Sequence, residues 1–229
     1  MYLMSVAHSL TGDDKMTDVA APSMPRINEP APAFKAKTTH GERSLDDYKG
    51  KWLVLFSHPA DFTPVCTTEF MGFAKAADRF KALNCELLGL SIDSVHSHIA
   101  WMRSIEEKFG VEITFPIIDD LSMNVARAFG MIHPGASDTS AVRATFLIDP
   151  EGVIRAMVYY PMSNGRSVDE FVRLLTALQT SDANKVATPE NWQPGEPVIV
   201  PPPATAEAAK ARKDEGYDYT DWYFSKKTL

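Results

Sequence analysis

The sequence from Trp52 to Glu69 is WLVLFSHPADFTPVCTTE, and this stretch indicates both the fold class and the chemistry of the chain. Its first part, residues 52–56, is an apolar run typical of a buried strand. The residues after Cys66 have the composition and spacing of a helix. Cys66 therefore lies where a loop enters the first turn of a helix. Free backbone N–H groups and the positive end of the helix dipole favour negative charge there, which suits a nucleophilic thiolate.

An alternation of strands and helices follows along the chain. Strands are predicted at residues 51–57, 86–92, 115–118, 144–148 and 153–159, and helices at residues 67–83, 94–109, 122–129 and 171–180. Ser94 is the expected N-cap of the second helix, and Ser167 with Glu170 forms a capping-box pattern before the last one. Residues 150–152 predict a hairpin turn. This order predicts an α/β fold with helices on both faces of a central sheet.

The two ends of the chain differ from the alternating part, residues 27–187. Residues 1–26 show no periodicity and predict a flexible N-terminal tail. Residues 188–229 contain six prolines, which exclude a regular helix or central strand around them, with a short helix expected at 204–214. Five aromatic residues near the end should be buried against the fold or a partner subunit. They are Tyr217, Tyr219, Trp222, Tyr223 and Phe224.

Composition excludes several classes of function. The 229 residues are 45% hydrophobic and 23% charged, which is ordinary for a globular protein. A formal net charge of −7 without a basic cluster argues against nucleic acid as a partner. No apolar run reaches the roughly 18 residues that a membrane-spanning helix needs, and the first residues lack a signal-peptide pattern. Two cysteines suit a reducing compartment, so we expect a cytoplasmic protein.

Other kinds of reactive site find little support. His96 and His98 are two residues apart on a predicted helix and should face different directions, and the other histidines and the cysteines lack zinc-ligand spacing. A glycine-rich phosphate loop is missing too, so neither a metal nor an organic cofactor is expected. A thioredoxin-type disulfide oxidoreductase would need a second cysteine where Glu69 stands. Cys85 begins a predicted strand, and we expect it to be buried.

The sequence of residues 56–69, FSHPADFTPVCTTE, resembles the active-site motif of peroxiredoxins, in particular that of the 1-Cys subfamily. The resemblance continues through residues 90–94, 115–120, 143, 160–166 and 186–189, and covers about residues 27–200. It implies a thioredoxin-like fold with a central mixed sheet and an extended C-terminal arm. It also implies a thiol-dependent peroxidase that reduces hydrogen peroxide and alkyl hydroperoxides.

The resemblance assigns the catalytic roles to three residues. Cys66 is the peroxidatic nucleophile, which a hydroperoxide oxidises to sulfenic acid. The Thr63 hydroxyl can both donate and accept a hydrogen bond, so it can orient the peroxide beside Cys66. Arg143 supplies a guanidinium that stays charged and whose planar fork can contact the thiolate and the peroxide oxygens.

Four further residues are expected to support the site. Pro59 shields it from water and fixes its loop, and His58 is a polar neighbour of the pocket. By the same resemblance, Glu69 and Arg166 orient Arg143. Structural ion pairing or capping alone would also explain Glu69, Arg166 and His58.

The sequence has no cysteine after Cys85, so a second cysteine near the C-terminus cannot resolve the sulfenic acid. The reductant is then an external thiol: glutathione, a thioredoxin-like protein or another small thiol. The resemblance implies a homodimer whose C-terminal arms cross to the partner, or a ring of five such dimers. The alternative function is a redox sensor or holdase chaperone controlled by oxidation of the same Cys66.

Overall fold

A seven-stranded mixed sheet forms the centre of the computed structural model, which describes residues 24–229. Its strands are β1 (Lys35–Thr38), β2 (Gly41–Ser44), β3 (Trp52–Ser57), β4 (Cys85–Ser91), β5 (Ile117–Asp119), β6 (Arg143–Ile148) and β7 (Ile154–Tyr160). Their spatial order is β2-β1-β5-β4-β3-β6-β7. The predicted α/β sheet is confirmed, and the predicted strands agree with the observed ones to within two residues. Most of the predicted N-terminal tail, residues 1–23, lies outside the described residues.

The helices of residues 24–229 connect these strands or belong to the C-terminal arm. They are α1 (Pro64–Lys75), α2 (Ala77–Ala82), α3 (Val95–Phe109), α4 (Asn124–Ala128), α5 (Val168–Asn184) and α6 (Ala206–Ala211), with 3-10 turns at Leu45–Tyr48 and Arg212–Asp214. Within these described residues, no helix combines the length and the apolar composition that a bilayer crossing requires.

The single helix predicted at 67–83 is in fact two helices, which is a correction to the sequence prediction. Helix α1 ends and α2 begins around Ala76 (φ −93°, ψ 0°), whose N–H donates to the carbonyls of both Gly72 and Phe73. Phe73 of α1 and Phe80 of α2 belong to the same core, with ring centroids 6.3 Å apart. Helical periodicity alone does not predict such an interruption.

Helix α5 is longer than predicted, and its capping box is only half formed. The Ser167 hydroxyl accepts from the Glu170 backbone N–H, as expected of an N-cap. The Glu170 carboxylate, however, does not return to the Ser167 N–H, because it accepts two hydrogen bonds from Arg173 at 2.6 and 2.8 Å. The predicted apolar face of this helix, which includes Phe171, packs on the sheet.

The pairing of β3 with its neighbours determines where the site forms. Strand β3 is fully buried, runs parallel to β4 and runs antiparallel to β6. The carboxyl end of β3, which leads to Cys66, therefore lies at the same edge of the sheet as the first residue of β6, Arg143. Residues separated by 77 positions are thus brought together by strand pairing.

Two hydrophobic cores cover the two faces of the sheet. Helices α1, α2, α3 and α5 pack on one face around Phe56, Phe70 and Trp101. The other face is covered by α4, the 3-10 turn at Leu45–Tyr48 and the segment that contains Phe34. Cys66 belongs to the first core and is fully buried.

The C-terminal arm forms a second, three-stranded sheet from β8 (Val198–Ile199), β9 (Asp218–Asp221) and β10 (Phe224–Lys227). A small core that includes Trp192 attaches the start of the arm to α5. Of the two alternatives predicted for the terminal aromatic residues, burial against the fold of the same chain does not hold for Trp222 and Tyr223, which are 45% and 56% exposed. Burial against a partner subunit stays a prediction. Tyr219 and Phe224 are exposed too, so burial within one chain does not explain these side chains.

Candidate active site

Cys66 lies in the first turn of α1, as the sequence predicts. Thr63 is the N-cap with extended backbone, and Pro64 opens the helix, where its missing N–H has no intrahelical partner to lose. The Cys66 side chain is fully buried. One nitrogen of Arg143, Nη1, donates to the Cys66 sulfur over 3.4 Å. The structure therefore brings together the thiol and the guanidinium that the sequence analysis assigned to one site.

A buried cluster of Arg143, Glu69 and Arg166, named here the arginine cluster, surrounds this contact. Arg143 Nη1 donates to Glu69 Oε2 at 2.7 Å, and Arg166 Nη2 donates to the same oxygen at 2.8 Å. The other carboxylate oxygen, Oε1, accepts from the side-chain Nε and the backbone N–H of Arg166, both at 2.8 Å. All three residues are less than one-tenth exposed.

The rest of the Arg143 guanidinium is fixed by the backbone. Its Nε and Nη2 both donate to the Met162 carbonyl, at 2.9 and 2.7 Å. Arg166 in turn donates to the Ala144 carbonyl at 2.8 Å and lies over the Phe56 ring, 5.5 Å from its centroid. These contacts hold the Arg143 guanidinium in an orientation in which Nη1 faces the sulfur.

The two arginines of the arginine cluster affect the pKa of Glu69. Burial by itself raises the pKa of the Glu69 carboxyl, but the hydrogen bonds and charge of Arg166, with the charge of Arg143, outweigh it and hold that pKa below its usual range. Glu69 is therefore ionised at neutral pH. With two guanidinium groups and one carboxylate, the buried cluster has a net charge of +1.

Thr63 and Pro59 line the loop between β3 and α1, and both are partly buried. The Thr63 hydroxyl donates to the Ala60 carbonyl at 2.9 Å, which ties together the two ends of the turn. Within residues 24–229 this hydroxyl makes no hydrogen bond to the Cys66 sulfur. The structure thus places Thr63 at the entrance of α1 without a direct bond to the thiol.

His58 belongs to a second buried polar group that the sequence analysis missed. Asp61 Oδ1 is 2.8 Å from His58 Nε2, and Asp61 Oδ2 is 2.8 Å from His98 Nδ1. His58, Asp61 and His98 are named here the histidine cluster. His96 is exposed and His98 fully buried, so the prediction that they face different directions is confirmed. The spacing of Val95, His98 and Trp101 on one helix face could have revealed a buried histidine that needs a polar partner.

The histidine cluster is also the set of described residues that offers three metal-donor atoms within 4.8 Å of one another. Each of those atoms already takes part in a hydrogen bond of 2.8 Å, and the two histidines are fully buried. The two Asp61 oxygens are paired with His58 Nε2 and His98 Nδ1, so these hydrogen bonds account for the close approach of the three side chains without an ion.

Cys85 is buried, as predicted, at the start of β4. Burial raises the pKa of the Cys85 thiol to about 12, so it stays protonated at neutral pH. A buried neutral thiol is a poor nucleophile. Among residues 24–229, a cationic group lies against the sulfur of Cys66 and none against that of Cys85.

Comparisons with known proteins identify the family of the chain. The AhpC/TSA family model matches residues 27–157, and the model for the C-terminal domain of 1-Cys peroxiredoxin matches residues 177–216. A peroxiredoxin of Aquifex aeolicus is 57% identical over 219 residues, which cover 90% of this chain and 98% of that protein. A peroxiredoxin of Methanosarcina mazei is 57% identical over 210 residues, which cover 87% and 96%. The chain belongs to the peroxiredoxin family, whose members are thiol-dependent peroxidases.

Solved structures extend the comparison to the fold. A yeast mitochondrial 1-Cys peroxiredoxin, described for thiol resolution through the glutathione and thioredoxin systems, has a TM-score of 0.81 and 40% identity, and the match covers 90% of this chain and all of that one. Peroxiredoxin 6 of Arenicola marina, as a cysteine-to-serine mutant, has a TM-score of 0.78 and 32% identity, with 89% and 97% covered. The expected thioredoxin-like peroxiredoxin fold is thereby confirmed.

Proposed function

We propose that Cys66 is the peroxidatic cysteine of this peroxiredoxin and that Arg143 activates it. The observation that supports this proposal is the net charge of +1 on the buried arginine cluster, with Arg143 Nη1 3.4 Å from the sulfur. A buried net charge is costly unless an opposite charge balances it. The Cys66 thiolate is the adjacent group that can supply that balance.

The reaction follows from this placement. The Cys66 thiolate attacks the terminal oxygen of a hydroperoxide, the S–O bond forms, and the O–O bond breaks. The products are Cys66 sulfenic acid and, after protonation of the leaving oxygen, an alcohol or water. The guanidinium of Arg143 stabilises the negative charge as it moves from sulfur to the leaving oxygen. Hydrogen peroxide and alkyl hydroperoxides are the proposed substrates.

The neighbouring residues have supporting roles in this proposal. Thr63 orients the bound peroxide from the entrance of α1, and Pro59 shields the loop from water. Glu69 and Arg166 hold the Arg143 fork, which is supported by their four hydrogen bonds of 2.7 to 2.8 Å. His58 acts as a buried polar neighbour through its bond to Asp61.

An external thiol completes the proposed cycle. One thiol condenses with the sulfenic acid, releasing water and leaving a mixed disulfide, and a second thiol displaces Cys66 from it. The similarity to the yeast 1-Cys peroxiredoxin favours glutathione or a thioredoxin-like protein as donors. Because Cys66 is fully buried, a donor reaches it only when the first turn of α1 moves. A cytoplasmic location would supply such thiols.

Rapid mixing with peroxide tests the proposed role of Cys66. Trp101 donates to Thr67 at 3.2 Å, next to Cys66, so its fluorescence should report the oxidation. One equivalent of hydrogen peroxide should oxidise the reduced protein far faster than free cysteine, and mass spectrometry should place the sulfenic acid on Cys66. Cys85→Ser serves as the matched control and should react like wild type, whereas Cys66→Ser should not consume peroxide.

Two results would contradict this assignment. Peroxide consumption by Cys66→Ser would show that the nucleophile lies elsewhere. Oxidation of the wild type at the rate of free cysteine, without turnover by added thiols, would instead favour the redox-sensor or chaperone function.

We further propose that residues 188–229 form an arm that pairs with a second copy of the chain, separate from the peroxidase domain of residues 27–187. Trp222, Tyr223 and Tyr219 are each more than one-third exposed on one short segment, and covering such apolar surface contributes about 25 cal/mol per Å². A second arm would cover it in a homodimer, and five dimers could close into a ring.

Sedimentation of two matched variants tests the arm. Trp222→Ser should shift the protein towards monomer if the arm forms the dimer contact. Phe109→Ser changes an aromatic residue that is 55% exposed on α3 and should leave the assembly unchanged. A wild-type monomer, or a Trp222→Ser profile identical to wild type, would contradict the proposal, and the wild-type mass separates the dimer from the decamer.

A further inference from the structure

Asp61 is the centre of the histidine cluster. Its two carboxylate oxygens each lie 2.8 Å from one histidine nitrogen, and both histidines are fully buried. His58 is at the start of the loop that leads to Cys66, whereas His98 is on α3. Asp61 therefore fastens the cysteine loop to a helix that comes later in the chain.

The hydrogen bonds determine how many protons the cluster contains. His98 Nε2 lies 3.0 Å from the Ile118 carbonyl, which can only accept, so Nε2 is protonated. The bond between His98 Nδ1 and Asp61 Oδ2 then needs another proton, since neither a neutral Nδ1 nor a carboxylate can donate. The pKa of Asp61 is well below its usual range, because hydrogen bonds from His58 and His98 outweigh the effect of its burial. That second proton lies between His98 Nδ1 and Asp61 Oδ2.

His58 is the neutral member of the cluster. Its Nε2 donates to Asp61 Oδ1, and its Nδ1 has no hydrogen-bond partner among residues 24–229. Burial lowers the pKa of His58, although the bond to Asp61 opposes this. The His98–Asp61 pair, with its shared proton, and the neutral His58 therefore have no net charge. The cluster can be buried without a further counter-ion.

The residue after Asp61 shows why such an anchor is needed. Phe62 has a left-handed backbone with φ +55°, which is unfavourable for an aromatic residue by about 1 kcal/mol, and its side chain is 58% exposed. Its own contacts with the core cannot hold this conformation. Asp61 is fixed through its side chain, and through a hydrogen bond from its N–H to Asp93 Oδ2 at 3.0 Å. Thr63, on the other side of Phe62, is the N-cap of α1.

We propose that Asp61 is a positioning residue for Cys66: by binding the rings of His58 and His98, it holds the strained Phe62 turn and so sets the first turn of α1. This inference rests on the proposed role of Cys66. The hydrogen bonds of Asp61 to described residues do not include the Cys66 sulfur, so it acts through the chain of five positions that leads from Asp61 to Cys66. It gives a function to a buried aspartate and histidine that the peroxidase reaction does not use directly.

Two substitutions of Asp61 separate positioning from charge. Asp61→Ala removes both anchors and should slow the oxidation of Cys66 by roughly 10- to 100-fold, as a small displacement of a reacting group does. Asp61→Asn can accept from His58 and donate to a neutral His98, so both hydrogen bonds survive. Its oxidation rate should therefore recover to within about threefold of the wild-type rate.

A matched control uses a buried aspartate away from the site. Asp120 is 2% exposed and accepts hydrogen bonds from the backbone of Val125 and Ala126. Asp120→Ala should lower stability without slowing the oxidation of Cys66. If Asp61→Ala does not fold, His98→Gln replaces it, because glutamine can keep the donor to Ile118 while losing the bond to Asp61.

Nitrogen-15 NMR of the full chain supplies a readout that is independent of activity. In the wild type, the Nδ1 resonance of His98 should show the proton that it shares with Asp61, whereas in Asp61→Asn only Nε2 should carry a proton. Wild-type oxidation rates in both Asp61→Ala and His98→Gln, or an Nδ1 resonance of His98 that is the same in the wild type and in Asp61→Asn, would overturn the proposal. Failure of Cys66→Ser to abolish peroxide consumption would instead refute the proposed function, and the NMR result would stand apart from it.

Discussion

The arginine cluster and the histidine cluster are built on the same plan but differ in what they can do. In each, one buried carboxylate is shared between two side chains that are far apart in sequence. Guanidinium groups stay charged at every pH that the folded protein experiences, so the arginine cluster keeps a positive charge beside Cys66. Imidazole groups gain and lose protons near neutrality, so the histidine cluster can be neutral overall. The arginine cluster is therefore suited to stabilising charge at the reacting sulfur, and the histidine cluster to holding a loop in place.

Replacing Arg143 should give the largest effect, because it removes the only described link between the arginine cluster and the sulfur. In Arg143→Lys the charge remains, but a single ammonium group cannot contact Glu69, the Met162 carbonyl and the sulfur in one plane. We expect the rate of Cys66 oxidation by hydrogen peroxide to fall by roughly 100-fold or more. The measurement is stopped-flow fluorescence.

Arg79→Lys is the control for this prediction. Arg79 is an exposed arginine that pairs with Asp169 on the surface, so its replacement should leave the oxidation rate unchanged. A rate for Arg143→Lys within threefold of wild type would mean that charge alone, and not the oriented fork, activates Cys66.

Removing the shared carboxylate should distinguish the two clusters in stability. Glu69→Ala leaves two buried guanidinium groups without a counter-charge and should lower the free energy of unfolding by about 3 to 5 kcal/mol. Asp61→Ala should cost less, about 1 to 3 kcal/mol, because two imidazoles, unlike two guanidinium groups, can both be neutral without a counter-charge. Urea unfolding of both variants measures the difference. Equal losses would show that this difference between imidazole and guanidinium does not matter to stability.

The smallest expected effect is a gradual loss of stability in acid. The pKa of His58 is lowered from 6.5 by burial, so the unfolded chain binds a proton first as the pH falls below about 6.5. The pKa values of Glu69 and Asp61 are lowered from 4.5 and 3.8, where hydrogen bonds outweigh burial, so stability declines again below those values.

Urea unfolding between pH 7 and pH 3 should therefore show two stages, and Asp61→Asn should reduce the lower one. The comparison of the two clusters would fail if the free energy of unfolding were constant over this range, since the histidine cluster could then not titrate as described.

Local patterns in the sequence predicted the strands and helices of the fold, but not the places where those elements deviate from the regular pattern. Strand β3 and helix α3 follow directly from an apolar run and from a serine N-cap, because each signal is complete within a few residues. The interruption of the helix at Ala76 and the pairing of the Glu170 carboxylate with Arg173 depend on the side chains that lie next to these residues in the folded chain. The exposure of Trp222 in one chain also could not be deduced from its apolar character.

The candidate site was predicted to the extent that single residues carry recognisable chemistry. Cys66 at a helix start was evident from the order of an apolar run, a proline and a helical pattern. Arg143, Glu69 and Arg166 were assigned by resemblance, since nothing local connects residues 74 to 97 positions apart. The partnership of His58, Asp61 and His98 was missed because their meeting depends on the packing of α3 against the cysteine loop.

The sequence by itself determined the alternation of strands and helices, the position of the reactive cysteine in a first helical turn, and the absence of a later cysteine. These properties depend on periodicity, capping and residue identity, all of which are local. Only the tertiary structure decided which charged side chains surround that cysteine. It also decided which carboxylate the two arginines share and which one the two histidines share. Those contacts come from strand order and helix packing, which join distant segments through burial and hydrogen bonding.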